Sequence, residues 1–526
     1  MIISLIILSV LFVRFHLLGV PLERDEGEYA YMGQLLLKGI PPYLAAYNMK
    51  FPGTYLMYAA IMSVFGQSTE GIHLGLTLIN CCTIILIYLL GKRLSGGFVG
   101  IIAAAAYSVL SLSPSVEGQA AHATHFVVLA AVGGMLLLLA ALERQGPNYL
   151  FFWSGLVTGL AFIMKQPGFF FVLCSASLVI RFHFSGVRGP SSKLLSSRIA
   201  LLTLGALVPL VATLAWLEYA GVFSRFWFWS IQYASEYVTQ IPLSHALDIF
   251  VSQVRRVVDG FYAVWVLAIS GLLIAFSPYG PKSPSRFVAL FTFFSFLTIC
   301  PGYYFREHYF VTLLPSVAIL VGISAQFLQT KLGRFLRPPF PTAIGAGVVM
   351  AGIVMGVAAS KDFFLGGEPS KISREISGLN PFPEAVKVAQ FIASRSDPTD
   401  KVAVLGSEPE IYFYAGRMSA TGYIYTYSLM EDQTHALAMQ KEMIAEIESA
   451  KPRFIVVVST PASWAQRPGS EEYIFRWMGS YIPANYTSVG VADVISRQVT
   501  NYVWDEDARW YEIKGNSALR VFSRKP

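Results

Sequence analysis

Eleven apolar runs dominate the sequence, at about 2–20, 72–91, 97–112, 125–142, 149–164, 167–182, 199–219, 261–277, 287–301, 309–328 and 342–359. An apolar helix of roughly 20 residues spans a hydrocarbon core, and lipid offers no partner to a bare peptide group. A chain built from such runs folds as a polytopic α-helical membrane protein. Composition agrees: 54% of the 526 residues are hydrophobic and 13% charged, which excludes an ordinary soluble enzyme. Run 2–20 reads as the first span and not as a cleaved leader, because no small-residue cleavage site precedes the acidic stretch after it. Cys81, Cys82, Cys174 and Cys300 all fall in apolar runs, which predicts buried thiols and no disulfide framework.

A twelfth apolar stretch, 53–65, would be only about 20 Å long as a helix, so it is predicted to be interfacial or re-entrant. Charge supports that choice. Without a crossing at 53–65, Lys92, Arg93, Arg144, Arg181, Arg188, Lys193, Arg198, Lys282, Arg286, Lys331, Arg334 and Arg337 share one face with a single acid, Glu143. That face is cytoplasmic by the positive-inside rule. The net charge of +7 is then mostly loop asymmetry and does not call for nucleic acid. The outer face holds the 20–71, 113–124 and 220–260 loops, the 302–308 loop and everything after about 360.

Chemistry in such a chain belongs at the membrane edge, and the polar stretch 20–65 follows the first span directly. It carries Glu23, Asp25, Glu26 and Glu28, then a helical pattern to Lys38, a proline break and Lys50. Asp25 with Glu28 three residues on is a capping box for a helix over 26–38, and capping alone would account for one of these carboxylates. The cations Lys50, Lys165, Arg225, Arg255, Arg256 and Arg306 run against the charge bias of the outer face. Singly they read as snorkelling side chains; together they suit a lipid phosphate. In the 113–125 loop, His122 and His125 share a helical face with Glu117 upstream. These three are candidate ligands of a divalent metal, with interfacial hydrogen bonding as the alternative.

After residue 360 charged and turn residues become frequent. A helix is predicted over 383–394, a strand over 401–405, a helix near 409–415, a helix over 434–450, a buried strand over 454–458 and a further strand near 519–522. That alternation predicts a C-terminal soluble α/β domain, 360–526, beside a membrane domain, 1–359. It shows no dinucleotide fingerprint, phosphate loop or nucleophile triad.

The order of Arg24-Asp25-Glu26, a Tyr29-bearing helix, a Gly39/Pro41-Pro42-Tyr43 break and Lys50-Phe51-Pro52-Gly53 resembles the first outer loop of the GT-C membrane glycosyltransferases. The similarity is to bacterial members related to protein O-mannosyltransferases and lipid A aminoarabinose transferases. Gly159 to Lys165 and Arg306-Glu307-His308-Tyr309 extend it over about 1–330. The resemblance implies a GT-C fold in a bacterial inner membrane, with the active site and the C-terminal domain outside. It implies transfer of one sugar from a polyprenyl-phosphate-sugar donor to a lipid, glycan or protein acceptor. Asp25 would be the catalytic base, paired with Glu26; Lys50 would bind the donor phosphate, with Lys165, Arg306 and Arg256 assisting. Glu28, Tyr29, Tyr43, His308 and Tyr309 are candidate substrate-binding residues. One departure stands out: relatives often carry an acid near Thr124, and this chain does not.

A positioned carboxylate can take the acceptor's proton while cations stabilise the departing phosphate, and one carboxylate opposite the donor favours inversion. Two other readings use the same outer cluster or the same spans: a lipid-linked oligosaccharide transferase or ligase, and a transporter or flippase of lipid-linked sugars. Few mid-span charges and no internal repeat speak against transport.

Overall fold

The computed structural model describes residues 1–143, 147–184, 192–277 and 282–526, without the side chains of 282–285. Arg144, Arg188 and the side chain of Lys282, counted above toward the cytoplasmic face, lie outside the described residues.

The first part of the chain forms α1 (Ile2–Leu17), α2 (Arg24–Leu37), α3 (Gly53–Phe65), α4 (Thr69–Ser95), α5 (Gly97–Leu110), α6 (Ala123–Leu142), α7 (Tyr149–Met164) and α8 (Phe169–His183). It continues with α9 (Ser192–Tyr219), α10 (Phe223–Trp227), α11 (Ala234–Tyr237), α12 (Leu243–Val258), α13 (Tyr262–Phe276), α14 (Lys282–Leu297), α15 (Leu314–Leu332) and α16 (Phe340–Ala359). One helix occupies each of the eleven apolar runs, and α3 has the bounds read from the sequence. By length and composition alone, α4, α6, α9 and α16 suffice to cross a membrane, and α12 and α13 form a pair bent by 116°. Leu5, Leu8, Phe12 and Phe15 on α1, and Val266, Ile269 and Leu273 on α13, are exposed. Rows of bare apolar side chains at helical spacing fit a lipid surround.

Small residues bring the helices together. A Cβ on Gly155 of α7 would stand 2.0 Å from the Leu202 carbonyl oxygen of α9, and one on Gly205 would stand 2.0 Å from that of Phe152. Only glycine permits backbones to cross so closely. None of the cysteines is bridged, but only Cys174 is buried; Cys81 and Cys300 are partly covered and Cys82 is exposed on α4. Their apolar setting reflects the lipid-facing surface as much as the core.

Helix α2 departs from its predicted form at its cap. Its cap is Glu23, not Asp25: Glu23 accepts from the Glu26 amide at 2.9 Å and Glu26 from the Glu23 amide at 3.4 Å. The capping box thus forms two residues early and leaves Asp25 and Glu28 for other work. Every residue of the helix from Glu26 to Leu35 is buried. The C-terminal part packs closely on its first turns: a Cβ on Gly27 would sit 2.6 Å from the Glu410 amide nitrogen.

That part is built on six strands: β1 (Lys401–Leu405), β2 (Met418–Ser419), β3 (Phe454–Val458), β4 (Tyr486–Val494), β5 (Thr500–Trp504) and β6 (Ser517–Arg524), in the order β2-β1-β3-β6-β4-β5. β1 pairs in parallel with β2 and β3, whereas β3, β6, β4 and β5 are antiparallel neighbours. The predicted helices appear as Phe382–Ser394, Glu410–Ala415 and Ala436–Ala450. β2, β4 and β5 had no counterpart in the sequence reading. A bulge between Ser488 and Gly490 interrupts the alternation that would have marked β4.

Candidate active site

The first turn of α2, the loop before α3, the loop before α6, the turn after α7, the segment 223–238, the loop before α15 and a loop after β2 converge at one place. Lys50 is the hub. Its ammonium donates to Asp25 Oδ1 at 3.0 Å and to Glu28 Oε2 at 2.7 Å, and lies 4.6 Å from the centre of the Tyr29 ring. An ammonium has three N–H donors, so one remains for a ligand. Tyr43 donates to the Lys50 carbonyl at 2.6 Å and Tyr55 to Glu28 Oε1 at 2.7 Å. Both tyrosines are fully buried, as is Glu28. Glu28 and Tyr43, candidates for substrate contact, therefore stand behind Lys50 and brace it. Tyr43, Glu117, Tyr303 and Phe305 all hold positive φ, between 45° and 66°. Non-glycine strain of this kind clusters at functional sites.

Asp25 is ionised. Burial works against its charge, but Lys50, with His122 beside it, outweighs burial and holds the carboxyl far below the usual range. Lys50 in turn is pushed up: burial opposes its charge, and Asp25 and Glu28 more than compensate. Glu26, expected as the partner acid, points elsewhere. It accepts from the Ala121 amide at 2.6 Å and meets His73 Nε2 at 3.1 Å. It joins α2 to α4 and the loop before α6, and lines neither of the cavities described next.

Two cavities open on Asp25. The larger has about 1410 Å³ of empty space and is mainly apolar; it is lined by Val127, Pro167, Phe170, Ile231 and Val238 among others. Tyr29, Thr124, Lys165 and His308 also reach it. The smaller, of about 560 Å³, is lined by Tyr47, Trp229, Tyr233, Arg306, Tyr425, Tyr427 and Glu431. Asp25, Met49, Lys50, Tyr237 and Tyr309 line both. A single stretch containing a π-helical turn, Phe228–Tyr233, separates them. It turns Trp229 and Tyr233 to the smaller cavity and Ser230, Ile231, Ala234 and Val238 to the larger, with Tyr237 reaching both.

The cations divide in the same way. Lys165 is in the apolar cavity, 3.9 Å from the centre of the Tyr309 ring, and Arg306 is in the smaller, more polar one. Arg256 is in neither. Its side chain is 66% exposed and pairs with Glu307 at 3.1 Å, so it is an outward salt bridge and not a member of the site. Arg225 donates to the Tyr47 hydroxyl.

The metal candidates are also rearranged. Glu117 Oε2 meets His122 Nε2 at 3.1 Å and His308 Nδ1 at 3.0 Å, and the two rings stack 4.0 Å apart. Burial opposes charge on His122, but Glu117 and Glu23 overcome it and lift it to about 9; burial and His122 together push His308 down to about 3. Asp25, His122 and His308 each offer a ligand atom within 4.8 Å of the others, and His122 Nδ1 is buried without a hydrogen-bond partner. One carboxylate with two imidazoles, oriented by an outer carboxylate, suits a divalent ion such as zinc. Glu117 is then the orienting group rather than a ligand. His125 is no part of the set, and neither of its ring nitrogens has a hydrogen-bond partner. Thr124, where an acid was missing, lines the apolar cavity.

Sequence reasoning missed Trp229, Tyr233 and Tyr237, whose i, i+4, i+8 spacing was a usable signal. It also missed Tyr425, which donates to Asp25 Oδ1 at 3.2 Å, and Glu431, which accepts from Tyr233. Nothing local marks those two, since they come from the far end of the chain.

No curated protein matches the chain by sequence. The family model for dolichyl-phosphate-mannose-protein mannosyltransferase matches residues 50–216, beginning at Lys50 and leaving Asp25 outside. Among solved structures, ArnT from Cupriavidus metallidurans bound to undecaprenyl phosphate superposes with a TM-score of 0.61 at 16% identity, over 98% of this chain and 97% of that one. The oligosaccharyltransferase AglB from Archaeoglobus fulgidus, in complex with an inhibitory peptide and a dolichol-phosphate, gives 0.56 at 13% over 98% and 75%. The arabinofuranosyltransferase AftD from Mycobacteria gives 0.52 at 11% over 100% of this chain and 40% of that one. At such identities the shared property is the fold, and the chain accordingly has the fold of the GT-C membrane glycosyltransferases.

Proposed function

We propose that this protein transfers one sugar from a polyprenyl-phosphate donor to an acceptor hydroxyl or phosphate on the non-cytoplasmic face of the membrane. The observation that carries this is the place of Asp25 and Lys50, in the walls of an apolar cavity and a polar one at once. The ArnT and AglB structures contain lipid phosphates, and a large apolar cavity carrying Lys50 and Lys165 fits that chemistry. In this reading the isoprenoid lies along Phe170, Ile231 and Val238, with its phosphate against the two lysines. The acceptor enters by the polar cavity.

The acceptor oxygen bonds to the anomeric carbon as the bond from that carbon to the phosphate oxygen breaks. The acceptor proton passes to Asp25, and polyprenyl phosphate leaves with its new charge held by Lys50 and Lys165. While Lys50 is bonded to it, Asp25 is a poor base. An arriving phosphate competes for the ammonium and restores the basicity of the carboxylate, which ties base activation to donor binding. One base opposite one leaving group gives a single displacement with inversion. A divalent metal held by Asp25, His122 and His308 would supply further positive charge to the departing phosphate.

The membrane arrangement belongs to the same proposal: eleven crossings, with 360–526 outside. Mass spectrometry of lipids copurified with the protein tests the core of it. A polyprenyl phosphate or its glycoside is expected, and a preparation free of both that also fails to bind added undecaprenyl phosphate refutes the reading. A product that retains the donor's anomeric configuration refutes the single displacement.

A further inference from the structure

Open α/β sheets bind their ligands in the crevice beyond the carboxyl ends of parallel strands. Here the crevice beyond β1 and β3 is already filled, by the guanidinium of Arg24 from the membrane part. Arg24 Nε donates to the Ser407 carbonyl at 2.6 Å, Nη2 to Glu408 Oε1 at 2.9 Å and to Asn380 Oδ1 at 3.1 Å, and Nη1 to the Tyr427 hydroxyl at 3.2 Å. The Phe382 and Tyr427 rings lie 5.5 and 5.7 Å from its centre. Glu408 is fully buried, and its other oxygen accepts from Ser463, just past β3, at 2.6 Å. The fork geometry of an arginine is used on a carboxylate, a carbonyl and an amide at once, which a lysine could not reproduce.

Arg24 immediately precedes Asp25. The same domain touches this helix at three further points: Tyr425 donates to Asp25 Oδ1 at 3.2 Å, the Ser419 amide donates to the Tyr31 hydroxyl at 2.8 Å, and Gly27 lies flush on Glu410. Lys50 pulls Asp25 from the membrane side and the domain holds the helix from the other.

We propose that the sheet crevice is a receptor for the Arg24 side chain, and that through it the C-terminal domain sets the position of the Asp25 carboxylate. Arg24 is a positioning residue that touches no substrate. The inference rests on the reading of Asp25 as the reacting carboxylate. Without Arg24, Glu408 is left buried and unpaired, and the first turn of α2 loses its fixed point.

The test uses the full chain in lipid nanodiscs. Turnover, donor KM, thermal midpoint and amide hydrogen exchange are compared for wild type, Arg24→Ala, Arg24→Lys and Asn380→Ala. Arg24→Ala is expected to lower kcat about 10²-fold, the cost of a displacement of roughly 1 Å, with donor KM held within about threefold. Exchange should accelerate at the amides of α2's first turns while α4 and α6 stay protected. Arg24→Lys should recover part of the loss. Asn380→Ala removes one peripheral bond, folds even if Arg24→Ala does not, and should show a smaller fall in kcat at unchanged KM. The proposal is overturned if kcat and α2 exchange are unchanged in Arg24→Ala. It is equally overturned if all three variants lose donor binding, melting temperature and activity in proportion, with Arg24→Lys no better than Arg24→Ala. A wild type that neither binds undecaprenyl phosphate nor turns over refutes the transferase reading instead; exchange at α2 then still decides whether the crevice holds the helix.

Discussion

The two cavities that meet at Asp25 are made of different material. Membrane helices and their connecting turns wall the larger one, and Lys165 gives it a cation. Loops and the C-terminal part of the chain wall the smaller one, with aromatic rings, Arg306 and Glu431. The stretch from Trp229 to Val238 serves both, with one face for each. One segment thus forms part of the wall of both cavities, and Asp25, from the first turn of α2, lines both.

Asp25 is the point where the two halves must cooperate, so its loss should have the largest effect. Asp25→Asn is expected to lower kcat by about 10²–10⁴-fold, the usual worth of a positioned base, while polyprenyl phosphate still binds. Equal loss of binding and turnover would mean that Asp25 builds the cavity rather than acts in it. Lys50→Ala should weaken donor binding by about 2–5 kcal/mol and also lower the melting temperature, because it leaves Asp25 and Glu28 without their cation. Direct titration with undecaprenyl phosphate and a thermal melt separate the two effects.

The comparison is sharpened by pH. Burial, with Lys50 and Arg306 nearby, outweighs Asp25 and lowers Lys165 to about 7. A phosphate bound beside Lys165 favours its charged form, so donor binding above pH 7 takes up a proton. Donor affinity should be flat below that pH and fall by up to about tenfold per unit above it. Lys165→Arg, whose charge does not titrate there, should flatten the profile; acceptor KM should not follow it. The smallest expected effect is on the polar side. Glu431→Gln keeps the shape of the wall and should raise acceptor KM only about fivefold, the equivalent of about 1 kcal/mol, with donor affinity unchanged. A shift in donor affinity instead would erase the distinction between the cavities.

Much of the membrane part was legible. Apolar length located a helix in every predicted run and gave α3 its bounds, but length does not set α3 apart, since α1, α5 and α7 are also shorter than 18 residues. Lys50 and Asp25 were placed in one site by the resemblance of their loop to the GT-C first outer loop, and the structure brings them to 3.0 Å. What the sequence hid was register and distance. Capping is satisfied by either of two acid pairs three residues apart, Glu23/Glu26 or Asp25/Glu28, and the partner that takes up the second pair, Lys50, lies 25 residues from Asp25 in the chain. Glu26 looked like a twin of Asp25, yet one residue along a helix turns a side chain by about 100°, toward His73 and Ala121. His125 looked like a partner of His122 by helical spacing, but the ring stacked on His122 is His308, from before α15. In the C-terminal domain the buried parallel strands announced themselves by β-branched runs. β5 is a short strand at the edge of the sheet and β4 is bulged, and neither keeps a clean alternation.

The most direct test is a structure of the protein with undecaprenyl phosphate bound. The account predicts the isoprenoid along Phe170, Ile231 and Val238, and a phosphate oxygen within hydrogen-bond reach of Lys50 and Lys165, with Asp25 facing the polar cavity across the anomeric position. A phosphate seated away from both lysines, or an isoprenoid threaded past Trp229 and Tyr425, would contradict it.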